Sequence, residues 1–143
     1  MSNIELLLEK LDVCPFEQID KYVEGGKKVI GCAPVYTPEE LVYALGMIPM
    51  GIWGSEGEVT LSKEYFPAFY AAPILRLLDL GLEGKLDKLS GMIIPGLSDG
   101  LKGLSQNWKK AIKNVPALYI GYGQNRQIQA GLDYHEKQYI NLI

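Results

Sequence analysis

This chain has one histidine and only two cysteines in 143 residues, too few donors for a zinc site of the Cys/His type. Cys14 and Cys32 lie far apart and form no Cys-x-x-Cys pair, so two reduced thiols in a cytoplasm are expected. No run of Lys and Arg exceeds two residues and the net charge is −3, which speaks against a nucleic-acid partner. No apolar stretch approaches the roughly 20 residues that span a bilayer, so no membrane segment is expected. "MSNIELLLEKLDV" carries acids and no basic start, unlike a secretory leader. Neither Gly-x-Gly-x-x-Gly nor Gly-x-x-x-x-Gly-Lys-[Ser/Thr] occurs, so no phosphate-cradling motif announces a nucleotide site. What is present, 48% hydrophobic and 22% charged residues, suits one globular domain with a sizeable core.

Hydrophobic spacing supplies the organisation. Residues 3–11 and 15–24 read as two short helices, with Ile4, Leu7, Leu8 and Leu11 on one stripe and Phe16, Ile19 and Val23 on another. Together they make an N-terminal helical segment, residues 1–26, stopped by Gly25-Gly26. Residues 27–143 then alternate strand and helix. "KKVIGCAPV", "MIPMGIWG", "SGMIIPG" and "VPALYIGYG" are the strands, and Pro49 weakens the second. Thr37-Pro38-Glu39-Glu40 reads as a capping box: Thr37 caps, Pro38 sits at N1 and Glu40 at N3. Leu41, Val42, Ala44 and Leu45 then face inward, and Gly46 ends the helix. A second stripe, Ile74, Leu77, Leu78 and Leu82, follows Pro73, and a third, Leu101, Leu104, Trp108 and Ile112, follows Asp99. Residues 124–141 form a last polar helix with Ile128 and Leu132 inside. Strands separated by helices imply right-handed crossovers and a parallel sheet. The expected fold is α/β: a Rossmann-like or flavodoxin-like three-layer domain, about four parallel strands with helices on both faces.

Parallel sheets bind ligands beyond the carboxyl ends of their strands. This selects "CAPVYT" (32–37), "WGSEGE" (53–58), "PGLSDG" (95–100) and "GYGQN" (121–125). From these loops and the helix start beside the first, the candidate ligand contacts are Cys32, Ala33, Tyr36, Thr37, Glu40, Trp53, Gly54, Ser98 and Asp99. Helix N-termini beside three of the loops favour an anion such as a phosphate or a thioester oxyanion. Each has a plainer reading. Thr37, Ser98 and Asp99 serve as helix caps, Glu40 completes the capping box, and Glu56 and Glu58 are solvated. Adjacent helical residues point about 100° apart, so Glu39 and Glu40 do not converge as an acid/base pair. His135, in a polar helix, reads as a surface residue; Trp53 and Trp108 read as core or interface aromatics.

"IGCAPVYTPEELVYALGMIPMGIWG" and "YFPAFYAAPILRLLDLGLEGKLDKLSGMIIPGLSDGLKGLSQNWK" resemble the N-terminal domain of 2-hydroxyacyl-CoA dehydratase subunits, the β subunits above all. The related benzoyl-CoA reductases share the pattern. Pro-Glu-Glu-Leu followed by Ala-Leu-Gly-Met-Ile-Pro carries the likeness, as do "FPAF" and the later "IIPG" strand with its Asp; the match runs from about residue 27 to residue 135. The resemblance implies longer chains of two Rossmann-like domains, with cysteines holding a 4Fe–4S cluster between them. It implies a lyase in which a separate ATP-hydrolysing activator delivers one electron, and a ketyl radical then loses water from a 2-hydroxyacyl thioester.

Against that pattern, the family's cluster cysteines fall on Ala71, with Ala72 beside it, and on Ser98. Alanine has no ligand atom and a hydroxyl is a poor substitute for thiolate on iron. No metal or iron–sulfur cofactor is therefore expected on this chain. The leading expectation is a stand-alone, cluster-less relative that serves as a binding or accessory module for an acyl-CoA-type ligand or a dehydratase partner. One alternative is part of a multi-chain dehydratase or reductase whose cluster another chain supplies. Another is a homo-oligomeric interaction domain.

Overall fold

The computed structural model describes residues 4–5 and 15–143. The expected stripe of Ile4, Leu7, Leu8 and Leu11, and Cys14, fall largely or wholly outside those residues. Five helices and four strands are seen among the described residues: α1 (Pro15–Glu24), β1 (Val29–Cys32), α2 (Glu39–Ala44), β2 (Ile48–Gly51), α3 (Ala72–Leu82), β3 (Gly91–Pro95), α4 (Asp99–Ala111), β4 (Ala117–Ile120) and α5 (Gln129–Ile140). A short 3-10 turn, Leu61–Glu64, precedes α3.

All strand pairs are parallel and the order is β2-β1-β3-β4. The three-layer α/β fold is as expected. Pro49 is tolerated because β2 is an edge strand. The N–H groups of Ile48 and Ile52 donate to β1 and the residue before it, so residue 49 faces outward, where a missing donor costs nothing.

The two faces of the sheet differ. On one, α1, α3 and α4 enclose a core of Ile19, Leu77, Leu78, Leu80, Met92, Ile94, Leu104 and Trp108. The Trp108 indole N–H donates to the Val115 carbonyl at 2.9 Å, so a fully buried Trp leaves no polar atom unmet. On the other face, α2 and α5 cover only Ile30, Val42, Ile93 and Ile120, with Met47, Tyr122, Tyr139 and Leu142 packed around them.

Several expectations for that thinner layer are corrected. Of the anticipated stripe on α2, only Val42 is buried; Ala44 and Leu45 are exposed. The helix has only six residues, less than two turns, so it cannot lay a long stripe on the sheet. It does end at Gly46, with φ 77. The Gly46 N–H reaches the Tyr43 carbonyl and the Met47 N–H the Val42 carbonyl, the paired bonds of a Schellman motif. α5 starts at Gln129 rather than at residue 124 and has no buried residue; Ile128 and Leu132 are 52% and 53% exposed.

Candidate functional site

In this strand order the chain steps from β1 to one neighbour and later lays β3 on the other side. The loops after β1 and β3 therefore diverge, and the crevice between them is where parallel sheets take ligands.

The loop after β1 is built around a missing donor. The Ala33 N–H donates to the Ile93 carbonyl at 3.0 Å. The next acceptor along that ladder is the Ala33 carbonyl, but its partner position on β3 is Pro95, which has no N–H. The Thr37 hydroxyl fills the gap, donating to the Ala33 carbonyl at 2.7 Å. Thr37 is thus spent on closing the loop and does not cap α2, which corrects the expected capping box. Pro38, at φ −76 and ψ 75, has no side-chain cap bond. The Glu39 N–H turns back to the Thr37 carbonyl at 2.8 Å, an inverse γ-turn that starts the helix at Glu39. Between these points lie a cis Pro34–Val35 peptide and Tyr36 at φ 64, a left-handed conformation uncommon for a residue with a side chain.

From across the edge, the Tyr122 hydroxyl donates to the Tyr36 carbonyl. Burial pushes the Tyr122 phenol above its ordinary range, and Tyr139 adds to this, so Tyr122 stays a neutral donor. The Arg126 guanidinium lies 5.9 Å from the centre of the Tyr122 ring, within cation–π range. The His135 ring lies 5.4 Å from Tyr122 and the Tyr134 ring 6.0 Å from His135. His135 is half-buried, and its Nε2 is buried with no hydrogen-bond partner among the described residues. That corrects its reading as a plain surface residue.

These groups border a cleft of about 420 Å³ between the β1–α2 loop and α5, lined by Tyr36, Thr37, Pro38, Glu40, Tyr122, Arg126, Leu132, His135 and Tyr139. A larger cleft, about 900 Å³, opens beyond β3 and β4 and is lined by Gly96, Leu97, Lys102, Tyr119, residues 121–127 and Tyr134. A third, about 330 Å³, lies past β2 and holds Trp53 and Gly54 together with Ala72, Pro73 and Arg76.

The sequence candidates are thus divided among three places. Tyr36, Thr37 and Glu40 share the first cleft; Trp53, which is exposed and not a core aromatic, and Gly54 line the third. Ser98 and Asp99 are exposed at the start of α4. The Ser98 hydroxyl accepts the Leu101 N–H at 3.2 Å, as a cap should, and Asp99 pairs with Lys102 at 3.3 Å. Cys32 and Ala33 are buried and line none of these three clefts. The Cys32 thiol donates to the Ile30 carbonyl at 3.6 Å. Burial first, and Glu39 second, push it up to about 12, so it rests as a thiol with little of the thiolate that nucleophilic chemistry requires.

The implied cluster does not fit the described residues. Ala71 caps the start of α3 with backbone alone, and the Ser98 hydroxyl is engaged at the start of α4. Among the described residues, no three His, Cys, Asp or Glu side chains are grouped to hold a metal ion.

Sequence reasoning selected the 121–125 loop without singling out Tyr122, and it named no cleft role for Lys102, Arg126, His135 or Tyr139. The signal was there for the last two: Leu132, His135 and Tyr139 recur at i, i+3 and i+7, one face of a helix. It also missed a buried ion network. Arg76 donates to Glu83 at 2.6 Å, to Asp79 at 3.4 Å, to the Glu58 carbonyl at 3.4 Å and to the Ser55 hydroxyl at 3.2 Å. Asp79 accepts the N–H groups of Thr60 at 2.8 Å and Ser62 at 2.5 Å. Burial raises the Asp79 carboxyl, but those two N–H groups and Arg76 outweigh it and hold the group below its ordinary value. The network pins the 55–62 loop onto α3.

Fold and site together define a parallel α/β domain with three clefts along its carboxyl edge and, among its described residues, no group of three His, Cys, Asp or Glu side chains placed for a metal. Residues 34–143 match the family of the 2-hydroxyglutaryl-CoA dehydratase D-component. The chain is 44% identical over 126 residues to the (R)-phenyllactyl-CoA dehydratase beta subunit of Clostridium sporogenes, covering 87% of this chain and 34% of that protein. It is 44% identical over 128 residues to (R)-2-hydroxyglutaryl-CoA dehydratase, subunit beta, of Acidaminococcus fermentans, covering 88% and 34%. With a benzoyl-CoA reductase subunit of Thauera aromatica the identity is 33% over 139 residues, covering 94% and 35%. The chain belongs to the 2-hydroxyglutaryl-CoA dehydratase D-component family, and it spans about a third of the length of these relatives.

Proposed function

We propose that this chain is a binding domain of the dehydratase family that takes an acyl-CoA-type ligand on its carboxyl edge, acts beside a dehydratase-type partner and carries no iron–sulfur cluster on its own residues. The observation that carries the reading is the cleft of about 900 Å³ beyond β3 and β4, whose lining includes Lys102, Arg126, Gln124, Asn125 and Gln127. Two cations and three amides suit the phosphates and amides of a coenzyme A thioester. The relatives carry such thioesters in their names, and they are named as subunits, which supports a protein partner. The cluster-less part rests on Ala71 and Ser98, which offer no thiolate to iron.

One preparation tests both parts. The chain is purified without oxygen, assayed for iron and sulfide, and melted with and without an acyl-CoA. Ligand at about 100 times its Kd adds about 2.7 kcal/mol of stability, which raises Tm by roughly 5–10 °C in a domain of this size. An unchanged Tm at millimolar acyl-CoA removes the ligand, and stoichiometric iron removes the cluster-less assignment.

A further inference from the structure

We propose that the thin face of the sheet is the contact surface of a two-fold dimer of this chain, with Leu45 of each copy seated in an apolar hollow of the other. This goes beyond the acyl-CoA reading and does not depend on it, since the hollow is none of the three clefts at the carboxyl edge.

On this face Ile93 of β3 pairs with Leu118 of β4, and Ile30 of β1 belongs to the same small core as Ile93. All-parallel sheets are normally covered on both faces, yet Leu118 is 44% exposed. The cause is the layer above it: α2 has only six residues and α5 buries none. What is left open is a hollow of about 40 Å³ whose lining includes Ile30, Val42, Leu45, Ile93, Leu118 and Leu142.

Size and chemistry decide what enters it. All nine lining residues are apolar, so no polar group is there to orient a metabolite, and small-molecule sites run to about 300–1,000 Å³. A space this small takes the tip of one aliphatic side chain, as a hole at a protein interface takes a knob. No charged side chain lines it, so two copies meet there without burying an unpaired ion.

A second copy is selected because this face carries knob and hole together. Leu45 lies on the lining and is 47% exposed, and Tyr43, on the same short helix, is 72% exposed. A two-fold contact requires just that: what protrudes from a surface must fit a recess in the same surface. The area agrees. The exposed parts of Tyr43 and Leu45 on α2, Leu118 on β4 and Ile140 on α5 come to on the order of 400 Å², the scale of the largest apolar patch on an ordinary monomer. A standard interface covers about 800 Å² on each partner, a little over half of it apolar.

Sedimentation equilibrium of the full chain tests the proposal. At about 100 µM the expected mass is twice the 15.9 kDa of one chain, falling to one chain on dilution, with a roughly micromolar Kd at the weak end for such an area. Leu45→Glu and Leu118→Glu each put a charge into the contact and should raise that Kd at least about 100-fold. Both side chains are about half exposed in the single chain, so the Tm of dilute protein should move little, which separates lost pairing from lost folding. Leu45→Met keeps an apolar knob and should still pair. Phe69→Glu changes a side chain that is 84% exposed and lies before α3, outside this layer, and should leave pairing intact. A single chain at every concentration overturns the proposal. So does pairing that survives both glutamates at Leu45 and Leu118, or pairing that Phe69→Glu abolishes. A mass that keeps growing with concentration overturns it too, because a two-fold contact closes at two copies.

Discussion

The two faces of this sheet share four strands and divide the labour. The face under α1, α3 and α4 is filled by Leu77, Leu78, Leu80, Leu104 and Trp108 and by an ion network with Arg76 and Asp79 at its centre. The face under α2 and α5 buries four residues, and α5 contributes none of them. Yet Tyr122, His135, Tyr139 and Arg126, the groups best suited to ligand chemistry, all belong to the thinner side or its rim. The filled core and most of these exposed polar and aromatic groups thus lie on opposite sides of one scaffold, as expected where surface groups must remain reachable while a filled core holds the fold.

Breaking the filled side should therefore cost most. Asp79→Ala strands the N–H groups of Thr60 and Ser62 and removes one partner of a buried Arg76. Losing one member of a buried, hydrogen-bonded pair costs about 3–5 kcal/mol. Guanidinium unfolding should show a loss of about that size, with the 55–62 loop becoming sensitive to protease. A loss under about 1 kcal/mol would mean that the network adds little to the fold and that the two faces do not differ in this way.

Much of the filled side was legible in the sequence, and little of the thin side was. The stripes Leu101, Leu104, Trp108, Ile112 and Phe16, Ile19, Val23 point inward as their spacing says, because a helix laid on a broad core buries whatever repeats at its own period. Ser98 caps α4 as expected. Thr37 carries the same local signal and does something else, because Pro95, 58 residues away on another strand, leaves a carbonyl that its hydroxyl must satisfy. No local pattern reports that. The ion network is a matter of sequence-distant loops meeting α3, and Tyr122 reaches Tyr36 across the sheet edge. Ile128 and Leu132 misled for the opposite reason: apolar spacing predicts burial only where a layer exists to do the burying.

Acid should sharpen the same contrast with a smaller effect. The Arg76 guanidinium first, and Lys85 second, hold the Glu83 carboxyl down from its ordinary value of 4.5 to about 2. A depressed folded-state value means that Glu83 contributes its full share of stability above pH 4.5 and loses it as pH falls toward 2. Urea midpoints measured across that window should fall more steeply for the native chain than for Glu83→Gln. Equal slopes would place Glu83 outside the energetics of the filled face.

The smallest effect should come from the thin side. Leu132 is 53% exposed on α5, a helix in which no residue is buried. Truncating an exposed Leu removes little area from a packed interior, so Leu132→Ala should change stability by no more than about 0.5 kcal/mol. The same truncation in the interior, Leu78→Ala, would open a cavity worth about 2–5 kcal/mol. Leu132 also lines the cleft beside His135 and Tyr139, so its truncation should widen that cleft while the melting curve stays in place. A large drop in Tm would show that α5 is anchored by apolar contact after all. The thin face would then be a second core, and the separation between holding the fold and binding a ligand would disappear.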